Sequence, residues 1–169
     1  MEEKLRAALV ALDLAMQTER DGRAFYLRAA ESTQNEQGRA LFTRIADDEL
    51  GHLAILEARR KALAEKGEWL PFDQGDPKPA PTTPIFAKRL REGELNPHTS
   101  DLSALRVAYL LEKDAVDFYS RAAEQTDDAD GKKMYRFLVK MEQSHQDDLE
   151  TEYKLLSEQF KSMMGFSPF

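Results

Sequence analysis

Displaced by 93 positions, the sequence lies on itself without a gap: "ERDGRAFYLRAAE" at 19–31 falls on "EKDAVDFYSRAAE" at 112–124, sharing Glu, Asp, Phe, Tyr, Arg, Ala, Ala and Glu in place. At the same offset Thr33 falls on Thr126, Gly38 on Gly131, Glu49 on Glu142, His52 on His145 and Leu56 on Leu149. Neither half can bury its apolar face alone, so the two must pack on each other about a pseudo-two-fold axis. A chain of 169 residues, 41% of them hydrophobic, has the size of one domain with one core.

Periodicity gives the elements inside each half. Leu5, Ala8, Leu9, Leu12, Ala15, Met16, Tyr26 and Ala29 recur at three- and four-residue steps and predict a helix over about 3–32. Leu41, Phe42, Ile45, His52, Leu53 and Leu56 continue the pattern over about 36–66. Residues 67–100 hold six of the seven prolines and cannot be one regular element; they read as a connection, with a short helix expected in "IFAKRLRE". Leu105, Ala108, Tyr109, Glu112, Val116 and Tyr119 mark a third helix over about 101–126, capped by Ser100 or Asp101. "TDDADG" offers a further cap for a fourth, over about 128–163. The expectation is an all-α four-helix bundle of two repeated hairpins, forming a single domain over residues 1–169. A helix of about 30 residues spans about 45 Å, which the connection can cross, so the third helix can start at the end where the second began.

Composition narrows the chemistry. A net charge of −7 and a pI near 5.1, without a Lys/Arg cluster, argue against a nucleic-acid or anionic-membrane partner. The absence of cysteine excludes disulfides, zinc ribbons, iron–sulfur centres and thiol catalysis. The first residues, "MEEKLRAALVALDLAMQTER", place acids before the apolar stretch, as an amphipathic helix does and a signal peptide does not. No apolar run is long enough for a membrane helix, and the expected location is the cytoplasm.

Two of the three histidines stand at repeat-related positions, each three residues after a glutamate, in "ELGH" at 49–52 and "EQSH" at 142–145. Residues three apart on a helix share a face and can converge on one ion. Glu19 and Glu112 fall on the apolar stripes of the first and third helices, so all six side chains point inward. Four carboxylates in a bundle core repel one another and lose hydration, at roughly several kcal/mol per ion, unless something compensates. Two divalent cations would cancel the four charges. One Glu from each of two helices with a Glu-x-x-His from each of the others is the ligand pattern of di-iron and di-manganese carboxylate bundles. Mixed oxygen and imidazole donors suit iron or manganese.

With these residues the sequence resembles the ferritin-like superfamily, and within it the rubrerythrin-like di-iron proteins. The resemblance covers both hairpins and rests on Glu19, "ELGH", Glu112, "EQSH" and the two "FY…AAE" segments. It implies that Glu19 and Glu112 are terminal ligands, that Glu49 and Glu142 bridge two irons, and that His52 and His145 each bind one iron. It also implies that Tyr26 and Tyr119, seven residues after Glu19 and Glu112, hydrogen-bond ligand carboxylates; taken on spacing alone they are also ordinary core aromatics. Two departures from the family pattern stand out. Typical members carry a cysteine-ligated rubredoxin module, which a chain without cysteine lacks, so electrons must come from a separate donor or from the iron itself. They also carry a further Glu three positions after the third-helix ligand, where this chain has Ala115, matched by Gly22 in the first half, which makes the site more symmetric.

The implied activity is that of a di-iron oxidoreductase, reducing dioxygen or hydrogen peroxide as Fe(II) is oxidised. The alternatives are iron binding for storage or delivery without turnover, and a metal that serves only the fold. A homodimer is expected, possible with exchanged hairpins. His98 reads as a surface loop residue, and Asp21 and Asp114 as sideways acids that pair with Arg or Lys. Trp69, Phe72 and Phe86 are expected to pin the connection to the bundle or to a second subunit, and the tail "MMGFSPF" to pack at an interface or fray.

Overall fold

Each hairpin is set by a cap that the repeat duplicates. In the computed structural model, which describes residues 2–72 and 101–163, Asn35 accepts a hydrogen bond from the Gly38 amide at 2.7 Å and Asp128 accepts one from the Gly131 amide at 2.9 Å. Each side chain thereby satisfies an amide that the first turn of its helix leaves without a partner. Four helices result: α1 (Glu2–Ser32), α2 (Glu36–Lys66), α3 (Asp101–Gln125) and α4 (Ala129–Met163). α2 stops at Gly67, whose φ of 70° is left-handed, and whose amide closes the helix on the Leu63 carbonyl at 3.0 Å.

The chain runs up, down, down, up. Thr33, at the end of α1, donates to Asp101, the first residue of α3, at 2.7 Å, so α3 begins at the end of the bundle where α2 began. At the other end Lys4 pairs with Asp127 at 2.7 Å, and Asp130 accepts from the Phe72 amide at 3.4 Å. The connection between α2 and α3 therefore spans the bundle, as its length allowed. α1 packs closely on α2 and α3 on α4; across the interface between hairpins α1 meets α3 and α2 meets α4. Residues 73–100 and 164–169 lie outside the described residues, and with them the expected "IFAKRLRE" helix, Phe86, His98, the cap at Ser100 and all but the first residue of the tail.

Two apolar layers fill the bundle. One is built from Leu12, Ala15 and Met16 of α1 with Leu53, Leu56, Tyr119, Met134 and Leu138. The other holds Phe25 and Tyr26 with Phe42, Ile45, Leu105, Ala108 and Leu149. Every helix passes from one layer into the other, and it does so at a glutamate: Glu19, Glu49, Glu112 and Glu142. The site is thus a polar stratum between two oily ones.

The segment after α2 is pinned to its own bundle. The Trp69 ring meets Tyr135 edge-on at 6.2 Å, and Phe72 packs on Phe137 at 5.4 Å with the Arg59 guanidinium 5.1 Å from its centroid. This contact separates two glycines that the repeat relates. A Cβ on Gly131 would lie 3.1 Å from the Trp69 ring and 3.2 Å from Thr126 Oγ1, whereas one on Gly38 would meet only ordinary contacts from 3.5 Å outward. Gly131→Ala is therefore expected to destabilise the protein by about 1–3 kcal/mol, the usual cost of overpacking, with Gly38→Ala closer to neutral. Urea unfolding of the two variants measures the difference.

Candidate metal centre

The periodicity of each helix delivers one acid or one Glu-x-x-His pair to the same level: Glu19 from α1, Glu49 and His52 from α2, Glu112 from α3, and Glu142 and His145 from α4. None of the six is more than 4% exposed. They form two quartets. Glu19, Glu49, His52 and Glu142 bring ligand atoms within 4.8 Å of one another, and so do Glu49, Glu112, Glu142 and His145. Glu49 and Glu142 belong to both quartets, Glu19 and His52 to the first alone, and Glu112 and His145 to the second alone.

Both imidazoles turn Nδ1 inward. His52 Nδ1 lies 3.0 Å from Glu142, 3.1 Å from Glu49 and 3.3 Å from Glu19. His145 Nδ1 lies 3.1 Å from Glu142 and 3.8 Å from Glu49 and from Glu112. The two rings stack at 5.7 Å. Proximity here exceeds bonding: although Glu142 Oε1 is so close to His52, it has no hydrogen bond with acceptable geometry. Acceptors converging on a common point, with one of them orphaned, is an arrangement a cation completes and protons satisfy only in part.

The tyrosines expected to hydrogen-bond ligand carboxylates do so, but across the hairpin interface. Tyr26 of α1 donates to Glu112 of α3, and Tyr119 of α3 donates to Glu19 of α1. Each phenol thus serves the glutamate of the opposite hairpin and not the one seven residues before it on its own helix. Burial first, and then the neighbouring carboxylates, push both phenols well above their ordinary range, so each stays a donor at neutral pH. Tyr119→Phe would strand a buried carboxylate oxygen of Glu19. It is expected to cost about 1–3 kcal/mol in the metal-free protein, read from thermal unfolding.

Spacing alone did not single out Asp48. Its carboxylate lies 3.4 Å from His145 Nε2, on the side of the ring away from the cluster, and that hydrogen bond holds Asp48 below the usual carboxylate range. Its place one residue before Glu49, on a helix that meets α4, was the available signal. Asp21 departs from its expected pairing with Arg or Lys and accepts the Gln17 amide at 2.9 Å, because Gln17 is its neighbour one turn back.

The chain is rich in helices with no span long and apolar enough to cross a membrane among the described residues. The fold and site define a ferritin-like four-helix bundle whose core carboxylates and histidines could hold metal. A family model described as Rubrerythrin matches residues 11–153, and the chain belongs to that family. The architecture is also similar to that of a hypothetical protein from Pyrococcus furiosus, with a TM-score of 0.65 at 23% identity over 90% of this chain and 91% of that one. No curated protein gives a significant sequence match.

Charge in the site is tightly balanced. Burial, and next the charges of Glu142 and Glu19, push Glu49 well above the ordinary carboxylate range, and burial raises Glu112 to about 8. Burial also pushes Glu142 up, but the charge of the nearby His52 and the hydrogen bond from His145 outweigh it and hold Glu142 low. Burial disfavours the charged imidazole of His145, yet the hydrogen bonds to Asp48 and Glu142 and the nearby carboxylate of Glu112 raise it to about 12. At neutral pH the metal-free site is thus compensated by protons on groups that a cation would need deprotonated. Loading with a divalent ion is expected to release those protons, and affinity to rise with pH as Glu112 passes its value near 8. Titration calorimetry in two buffers of different ionisation enthalpy counts the protons released.

Proposed function

We propose that this protein is a di-iron oxidoreductase in which Glu19 and His52 would hold one iron and Glu112 and His145 the other, with Glu49 and Glu142 available to both. The observation that carries this reading is the sharing of Glu49 and Glu142 between two otherwise separate quartets. The four carboxylates balance two divalent charges, and oxygen and imidazole donors without thiolate suit iron, with manganese as the other fitting ion. Bound iron would supply the electrons that reduce dioxygen or hydrogen peroxide.

The chain's own residues prepare the site for such a reaction. Tyr26 and Tyr119 each hold one oxygen of a terminal glutamate, which fixes the orientation of the other. The two apolar layers exclude bulk water from above and below. Between α1 and α3 a cavity of about 360 Å³ leads past Leu14, Thr18, Phe118 and Leu111 to the four glutamates. Gly22 and Ala115, the repeat-related small residues, line it; a Cβ on Gly22 would stand 3.9 Å from the Glu49 carboxylate. A family member with a further Glu at the position of Ala115 would present an acid there, and this chain leaves room for a small oxidant. Electrons to return the site to its reduced state would come from a separate donor or from the iron itself, since these 169 residues hold no cysteine.

Anaerobic protein loaded with two Fe(II) per chain and mixed with dioxygen or peroxide in a stopped-flow instrument tests the reading. Oxidation faster than that of free Fe(II) supports it; oxidation at the free-ion rate leaves an iron-holding protein without turnover. Gly22→Leu is expected to fill the cavity and slow oxidation roughly ten-fold or more, about 1.4 kcal/mol in barrier, with the metal content unchanged.

A further inference from the structure

The repeat reproduces all six residues of the candidate centre and breaks one residue before each shared glutamate. Asp48 precedes Glu49; Met141 precedes Glu142. The break matters because of what stands behind each histidine. His145 turns Nδ1 to the cluster and Nε2 to Asp48 at 3.4 Å, long for an N–H···O bond but within reach. Asp48 is in turn backed by Arg44, one turn earlier in α2, at 3.5 Å, and Arg44 also pairs with Asp148 of α4 at 2.5 Å. A chain of polar contacts thus runs from the half-exposed surface to the outer nitrogen of a buried ring.

His52 has nothing equivalent. It turns Nδ1 to the cluster in the same way, and its Nε2 is buried with no hydrogen-bond partner among the described residues. The repeat puts Met141 where an acid would answer it, and a thioether is at best a weak, uncharged acceptor. For Nδ1 to offer its lone pair to a metal, the proton of a neutral imidazole must sit on Nε2. In His145 that N–H has a carboxylate to receive it, which fixes the tautomer, holds the ring and strengthens the donor. In His52 the same N–H is buried without an acceptor among the described residues.

We propose that the two metal positions are unequal: the one formed by Glu112 and His145, with Asp48 as a positioning residue behind the ring, fills first and holds its ion more tightly. The position formed by Glu19 and His52 is the exchangeable one. This rests on the dinuclear reading above. An ion at the tight position keeps Glu49 and Glu142 turned inward, so that the second position is ready to receive, exchange or give up an ion while the first stays filled.

The test is a titration of the metal-free protein with Co²⁺, followed by calorimetry and by the visible absorption of the bound ion, with anomalous diffraction from crystals grown at one equivalent. Two steps separated by on the order of ten-fold or more in affinity are expected, with the first ion beside His145. Asp48→Asn keeps the size of the side chain and removes its charge; it should weaken the first step by about ten-fold and leave the second nearly unchanged, bringing the two together. Met141→Asp should strengthen the second step alone. Thermal unfolding of the metal-free variants reports their fold separately, and Met141→Asp decides the matter if Asp48→Asn folds poorly. Two equal steps, a first ion beside His52, or an Asp48→Asn effect shared equally by both steps would overturn the inequality and leave the dinuclear site standing. Fewer than two ions bound per chain would overturn the dinuclear reading itself, and the inequality with it.

Discussion

Four glutamates buried at one level of a helical bundle are the constraint on which the rest of this structure depends. Left to themselves they repel and lose hydration, so everything around them is arranged to supply positive charge or donors: two imidazoles from within the ring of acids and two phenols from outside it. The apolar layers above and below hold the helices together in spite of the polar stratum, and each helix crosses from one layer to the other at its glutamate. The stability of the bundle and the chemistry of its centre therefore meet at the same four residues. The core is built to accept a charge it does not itself contain.

The packing between helices divides the labour. Within each hairpin the helices touch along their length, whereas the hairpins meet mainly through the site and the two layers that flank it. The α1–α3 seam is where the cavity opens, lined by Gly22 and Ala115 on the side of the glutamates. Close packing within each hairpin and fewer contacts between hairpins leave the cavity beside the carboxylates. The crossed hydrogen bonds of Tyr26 and Tyr119 tie the hairpins together across this seam, so the same contacts that orient the carboxylates also hold the halves in register.

The two halves share a backbone plan and differ in what surrounds it. Trp69 presses on Gly131 and Tyr135 at the start of α4, and among the described residues no ring stands in the same way against Gly38. Asp48 stands behind His145, and the matching position behind His52 is Met141. A duplicated hairpin supplies a symmetric set of acids and imidazoles, and substitutions outside that set are free to make the two sides unlike.

Much of this was legible in the sequence, for physical reasons that can be stated residue by residue. Helical spacing places Glu49 and His52 on one face whatever else the chain does, and the repeat gives them a twin in Glu142 and His145, so the inward-facing acids and imidazoles and the four helices follow from local geometry. The prolines of the connection rule out a tight turn after α2, and its length permits the crossover that the Thr33–Asp101 contact records. Partnerships between helices are another matter. Which glutamate Tyr26 serves, that Asp48 reaches His145, and that Asp21 turns to Gln17 depend on how two hairpins are set against each other. Periodicity fixes the direction of a side chain about its own helix axis but not the height or rotation of the neighbouring helix. The sequence alone determined which residues face inward and what ion chemistry they suit; only the tertiary structure decided which of them meet, because that is set by the packing of two whole apolar layers and not by any single spacing.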